Sequence, residues 1–430
     1  MRTRSLRREA GSALVMTLVL GTVLGIGLMA YLTLIDNQDR AIRRAESWNY
    51  EIPVAEAGVE EALTQIWFNR YNLGTNGWGL TNNAYTKARV MVTNYAYYLV
   101  GISNVQPPVI YSEGYVRIPR SPQYLPPRTI RVTVGPNAFF KKGMVAKGTI
   151  NMSGGVVVDS FDSADPAFST GGRYDSAKAK DGGDIATVTG AAGSINVGGG
   201  EVYGHASTGP GGSVVPGSGG AVGSRTWQDA GNTGVQPGWF TDDMNADFPD
   251  IPAPFTTGAS PASGTFSGTN YTYLLGTGNY LMASLSMSGQ NKMGVSGTAV
   301  LYVTGNFSMA GQSMIYVTIG GSLQLYVGGS VSLSGNGIMN YNAGTTNFAL
   351  YGLPSNTSIS MSGNAALTGT IYAPQAVFTL NGGGNNNYDF VGASVTASVS
   401  MNGHFNFHFD ESLARNGPAM GVIVTSWREL

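Results

Sequence analysis

Six copies of one five-residue phrase limit what this chain can fold into more than any other feature. Each copy runs apolar, Ser/Thr, Met/Leu, small, Gly: LSMSG (285–289), FSMAG (307–311), VSLSG (331–335), ISMSG (359–363), FTLNG (378–382) and VSMNG (399–403). Their closing glycines lie 22, 24, 28, 19 and 21 residues apart. Two earlier relatives, INMSG (150–154) and INVGG (195–199), close 45 residues apart, about two of the same units. A recurrence near 22 residues matches one turn of a parallel β-solenoid, built from short strands and corners. Within each phrase the alternation sends Leu, Met, Val and Phe inward and Ser, Thr and Asn outward. The final Gly provides the positive-φ corner. Second strands follow as VLYVTG, MIYVTIGG, LQLYVGG and TGTIYAP. A propeller or sandwich calls for hairpins every 8–12 residues and fits less well.

Composition agrees with a folded, β-rich chain. Glycine accounts for 62 of 430 residues, and charged residues for only 11%. A disordered chain would be poor in aromatics, whereas this one has 22 Tyr, 16 Phe and 6 Trp. There is no cysteine, which excludes disulfides, thiol nucleophiles and thiolate metal sites.

Residues 200–265 break the rhythm. They are rich in Gly, Ser, Pro and Ala, yet carry Trp227, Trp239 and Phe240. A long excursion from the solenoid is expected there. The end of the chain, 417–430, leaves the repeat and is expected to cap the last turn, because an open stack end invites edge pairing.

The N-terminus has a different character. Ser12 to Ile35 contains no charge, and as a helix it is about 36 Å long, against ~30 Å of bilayer hydrocarbon. Arg2, Arg4, Arg7 and Arg8 precede it and place the N-terminus in the cytoplasm. The first 44 residues hold seven Arg against three acidic residues, net +4. The remainder, with 17 basic and 22 acidic residues, is net −5. This asymmetry is a topology signal and gives no reason to expect nucleic acid as a partner. A cleaved signal peptide is disfavoured: the apolar run is too long, and Leu28 stands where a site ending at Ala30 needs a small residue.

Beyond the apolar run, Ala41, Ala45, Trp48, Ile52, Ala55, Val59, Ala62 and Ile66 recur at alternating steps of four and three. That stripe predicts one continuous helix to about residue 70, with Pro53 inside it and Arg40, Arg43, Arg44, Glu46, Glu51, Glu60 and Glu61 on its other faces. Residues 71–87 read as a loop. Arg89–Gly101, Val109–Ile118 and Thr129–Gly135 read as a small antiparallel sheet on the helix.

The leader RREAG followed by SALVMTLVLGTVL resembles a type IV prepilin leader, which implies cleavage between Gly11 and Ser12. AEAGVEEAL (55–63) resembles the N-terminal region of PilX-like minor pilins and K-type pseudopilins, and YSEGYVRI with RTIRVTVG resembles their closing hairpin. Major pilins carry Glu at the fifth mature position, where this chain has Met16; the departure points away from a major subunit. From GMVAKGTINMSG to HFDESLA the chain resembles a right-handed β-helix domain found behind pilin-like leaders in bacterial envelope proteins.

Candidate chemistry is sparse. Parallel β-solenoids also carry polysaccharide-cleaving sites, which need paired carboxylates on neighbouring turns. Between Ile251 and Phe409 only Lys292 and Asp389 are charged, so no pair can form there. Asp159, Asp162 and Asp165 in VDSFDSADP have oxygen donors suited to Ca²⁺, but a solvated acidic turn is the simpler reading. HFNFH sets His404 and His408 on one face of a strand, with Asp410 beside them; a corner role is favoured over a metal pair. No G-x-S-x-G and no phosphate-binding loop is present.

The sequence therefore predicts a mainly β, non-enzymatic chain without cofactor. Its parts are a leader (1–11), a transmembrane segment (12–35), a helical extension (36–70), a small pilin-like β region (71–140), a β-helix (141–416) and a cap (417–430). The expected location is the bacterial inner membrane, single-pass, with the bulk exported or assembled into a surface pilus. Expected partners are other pilin or pseudopilin subunits, a prepilin peptidase, and a carbohydrate or other surface ligand. The alternative is a membrane-anchored β-helix enzyme acting on polysaccharide.

Overall fold

The computed structural model describes residues 10–69, 72–105, 107–363, 365–382, 388–403 and 405–430. The leader up to residue 9, and His404, lie outside the described residues. The chain divides into two units, 1–137 with 421–430, and 138–420. The second is therefore an insertion near the end of the first.

The first unit is built on one helix, Ala10–Asn69, with Pro53 in its interior. Its apolar run is solvent-exposed, and the helix is long and apolar enough to cross a membrane. Only the distal half of the apolar stripe packs: Ala55, Val59, Ala62 and Ile66 are buried, while Ala41, Ala45 and Trp48 are exposed. They rest on a sheet ordered Gly79–Thr81, Ala84–Val92, Ala96–Ser103, Val109–Val116, Arg128–Ala138 and Ala419–Glu429. The first five strands pair antiparallel in sequence order. Two glycines set the closeness of this packing: a Cβ on Gly114 would lie 2.1 Å from the Glu51 carbonyl oxygen, and one on Gly58 2.2 Å from Ser112 Oγ.

Three expectations need correction here. The 71–87 loop contains a short strand and the start of a longer one. Arg89–Gly101 is two strands, because Asn94 turns the chain with φ +56. The tail is not a cap: Ala419–Glu429 completes the six-stranded sheet, where Glu429 pairs with Arg128 at 2.5 Å and Thr425 Oγ1 donates to the Thr133 carbonyl at 3.0 Å. Its alternating Val, Val, Ser, Arg pattern serves a sheet edge as well as a stack end.

The second unit is a stack of short strands in three parallel columns. In the regular part each strand pairs with the strand three places further on. Gly278–Met282 pairs with Thr298–Val303, then Ser322–Val327, then Phe348–Gly352. Leu285–Met287 begins a second column and Lys292–Val295 belongs to a third. The recurring phrases form the second column, and their apolar positions are closed to solvent from Ile150 and Met152 through Val399 and Met401. Of the closing glycines, Gly154, Gly289, Gly311, Gly363 and Gly403 have φ between +59 and +89.

The order of the stack is not the order of the chain. Residues 388–402 pair on one side with 366–381 and on the other with 144–153, while 405–410 lie between 388–392 and 157–161; 144–161 is the first turn of the unit. From there 185–187, 195–207 and 214–241 continue the columns. The unit thus starts in the middle of its own stack, builds to one end, crosses to the other, and returns to close against its start. Residues 200–241, expected as an excursion, belong to the stack.

Of the expected excursion, 242–258 leave it, as a strap down the outside of the first column. Met244 N donates to Thr208 O at 2.9 Å, Tyr372 OH to Pro249 O at 2.9 Å, and Gln375 Nε2 to Asp250 Oδ1 at 2.8 Å. Phe255 meets the Tyr302 ring at 6.1 Å, and Ala259 bridges Tyr280. The distance to cover is ten strand steps, about 48 Å at ~4.8 Å each; eighteen extended residues reach about 59 Å. Pro249, Pro252 and Pro254 hold this segment extended.

Candidate binding cleft

Where the last turn of the stack meets the first, polar side chains replace the apolar repetition. Phe405–Asp410 lies in register with Val157–Phe161, and this pairing sets His408 opposite Asp159. His408 Nδ1 and Asp159 Oδ1 are 2.5 Å apart, both almost fully buried. The Tyr174 ring stacks on His408 at 3.6 Å, and its hydroxyl donates to Asp159 Oδ2 at 2.9 Å. Arg225 Nη2 reaches the same oxygen at 3.2 Å, with its guanidinium over the Tyr203 ring.

The remaining carboxylates are also engaged. Asp162 accepts both contacts of Arg415, at 2.8 and 2.6 Å. Asp410 accepts from Ser163 N, Ser412 N and Thr345 Oγ1. Glu411 pairs with Lys180 and accepts from Ser160 Oγ at 2.8 Å. Asp165 caps its own turn through Ala167 N. The three aspartates considered for Ca²⁺ are therefore not brought together: among the described residues no three His, Asp or Glu side chains cluster as a metal site. Their strand and corner geometry sends each to a different partner.

Beside this junction lies a cleft of about 270 Å³, lined by Phe161, Gly172, Arg173, Tyr174, Met339, Asn340, Tyr341, Asn342, Gly344, Thr345, Thr368 and Val391. The 170–174 loop forms one wall, held by Gly344 N to Gly172 O at 2.9 Å and Arg173 Nη2 to Tyr341 O at 2.6 Å. The other wall is the outer face of the third column. There the Tyr316 and Tyr341 rings lie parallel at 6.0 Å, with Tyr271 edge-on to Tyr316 at 6.1 Å. Burial holds the Tyr316 phenol above its usual range. Asn342 is a fixed element of the wall, its amide bonded to Thr318 O and Gly321 O. No carboxylate lines the cleft. It offers aromatic faces, phenol and threonine hydroxyls and one guanidinium, a set that stacks on and hydrogen-bonds to polyhydroxylated ligands.

The cleft is not legible in the sequence, because Tyr341 and Thr368 become neighbours only through parallel stacking and Arg173 arrives from the first turn. Of the expected site residues, Gly11 and Ser12 lie at the start of the helix, and Ser12–Ile35 forms its apolar run. A fourth buried acid was assigned to an outer face. Glu51 is fully buried between helix and sheet, and burial pushes its carboxyl up to about 7. The Val116 amide and Arg128 oppose that shift in part, but neither carboxyl oxygen closes a hydrogen bond of normal geometry.

Residues 256–416 match a family described as Domain of unknown function (DUF7305). The match runs from the end of the strap through the closing turn and leaves out the first turns. No curated protein matches the chain. Among solved structures, the competence-associated pilin ComZ from Thermus thermophilus is similar at 11% identity, covering 88% of this chain and 96% of that chain. Its TM-score is 0.21, and at that value the likeness carries no argument.

Proposed function

We propose that this chain is a minor-pilin-like subunit of the bacterial cell envelope that takes part in type IV pilus or pseudopilus assembly and displays a binding domain. The observation that carries this reading is the division of labour along one 60-residue helix: an exposed apolar first half, and a second half packed on an antiparallel sheet. The first half suits a bilayer and then the apolar interior of a helical filament. Other pilin subunits are the partners that such a helix would meet.

The stacked unit is read as a parallel, right-handed β-helix, in keeping with its three parallel columns. As an insertion between two strands of the small sheet, it is tethered at both ends and suited to display. Its cleft binds carbohydrate or another hydroxyl-rich surface ligand, and adhesion rather than catalysis is its role. The engagement of every buried carboxylate of the closing junction in an internal pair supports this over polysaccharide cleavage.

The test is the N-terminal sequence of the mature protein from envelope fractions, with and without the prepilin peptidase. A peptidase-dependent start at Ser12 is expected. An intact Met1, or a start after Ala30, overturns the pilin reading.

A further inference from the structure

The helix leaves its apolar run at Ile35, and the next two turns carry Asp36, Asp39, Arg40, Arg43 and Arg44. A loop from the sheet, 118–123, faces them, and together they enclose a cleft of about 380 Å³. Two of the arginines are neutralised locally: Arg40 pairs with Asp36 at 2.7 Å, and Arg43 with Asp39. Arg43 holds the Asp39 carboxyl below its usual range, and Arg120 across the cleft adds to that. Arg44 and Arg120 are exposed and make no ion pair among the described residues. Four arginines against two aspartates leave the cleft at net +2.

The loop is built at a cost. Ser121 N donates to Ile118 O at 3.0 Å across a turn with Pro119 second and Arg120 third, and Arg120 has φ +67. Proline followed by a positive φ is a type II turn, whose third position favours glycine or asparagine. An arginine held there, aimed at an already basic cleft, indicates a function for its charge. The location suggests what the charge meets. At 1.5 Å per residue, Arg40 and Arg44 sit about 8 and 14 Å beyond the end of the apolar run. Helical side chains tilt toward the N-terminus, here toward the membrane, and long arginines reach further in that direction.

We propose that this cleft holds the phosphate of an anionic phospholipid in the leaflet where the helix emerges, clamped by Arg44 and Arg120. The inference rests on the helix spanning a membrane, and it adds a lipid site to that reading. Such a clamp fixes the height and rotation of the subunit in the bilayer.

The full-length protein in phosphatidylcholine vesicles, with trace spin-labelled phosphatidylglycerol or phosphatidylcholine, tests the proposal by electron spin resonance. The wild type is expected to favour phosphatidylglycerol, with about a fivefold loss of preference for each arginine removed in Arg120→Gly and in Arg44→Gln with Arg120→Gly. Arg120→Gly supplies the residue that the turn favours, so its urea midpoint is expected not to fall and a folding defect cannot mimic the result. Incorporated protein with no lipid preference, or a preference that survives in the double variant, overturns the lipid site while leaving the membrane span standing. Failure to enter either vesicle overturns the span and the lipid site with it. If Arg120→Gly instead breaks association between copies without changing lipid preference, the cleft holds another subunit and the proposal falls.

Discussion

Asp159, Asp162 and Asp410 in the stacked unit and Glu51 in the helix–sheet unit are all nearly closed to solvent, but they are treated in opposite ways. The three aspartates receive cations or several donors at normal distances. Glu51 receives neither, and its carboxyl is pushed up to about 7. A buried, paired acid specifies which strands meet, whereas a buried, unpaired one makes packing depend on pH. The contrast follows from topology. In the regular turns each strand finds its neighbour about 22 residues away. At the junction the partners are about 250 residues apart in sequence, and that longer closure costs about 2 kcal/mol more. Apolar alternation repeats in every turn and cannot select one register there. Side chains that pair only in one arrangement can.

The largest expected effect breaks the paired side of this contrast. Asp159→Ala removes the buried carboxylate that His408, Tyr174 and Arg225 share and should destabilise the stacked unit by about 3–5 kcal/mol, read as a lower urea midpoint in tryptophan fluorescence. A midpoint within error of the wild type would show that the pair does not fasten the junction.

Glu51→Gln sharpens the unpaired side. Its folded pKa, about 7, lies above the ordinary 4.5, so the acid's contribution is complete below about pH 4.5 and lost as pH rises toward 7. The variant should match the wild type at pH 4 and exceed it by about 3 kcal/mol at pH 8. Urea titrations at the two pH values check this, and a pH-independent difference would refute it.

Tyr372→Phe removes the hydroxyl that holds the Pro249 carbonyl of the strap. About 1 kcal/mol is expected, with faster proteolysis confined to 242–258. Faster cleavage elsewhere would mean that the strap is held by its apolar contacts alone. Smallest of all, Ser332→Ala in the outward row of the regular turns should stay within about 0.5 kcal/mol. A larger loss would make the hydroxyl ladder a structural element comparable to the junction.

Much of the fold was legible in the sequence. The helix could be read to its last turn because charge-free length and 3.5-residue spacing are local properties. The inward positions of the second column, such as Met287, Met309 and Leu333, were legible because strand alternation has a period of two. Glu51 was misplaced because an acid on a helix is ordinarily exposed, and nothing local announces the glycine groove at Gly114 that admits the helix so closely. The cleft was invisible because Arg173, Tyr341 and Thr368 belong to separate turns.

By itself, then, the sequence determined that the chain begins with an apolar helix and continues as repeated short strands, since both follow from periodicities within a few residues. Tertiary structure alone decided that the stack starts in its middle, that residues 242–258 strap it lengthwise, and that the last strand returns to the first unit. Parallel pairing is indifferent to sequence distance, so any turn can stack on any other. The choice falls to contacts such as Asp159 with His408, which exist only once both turns are in place.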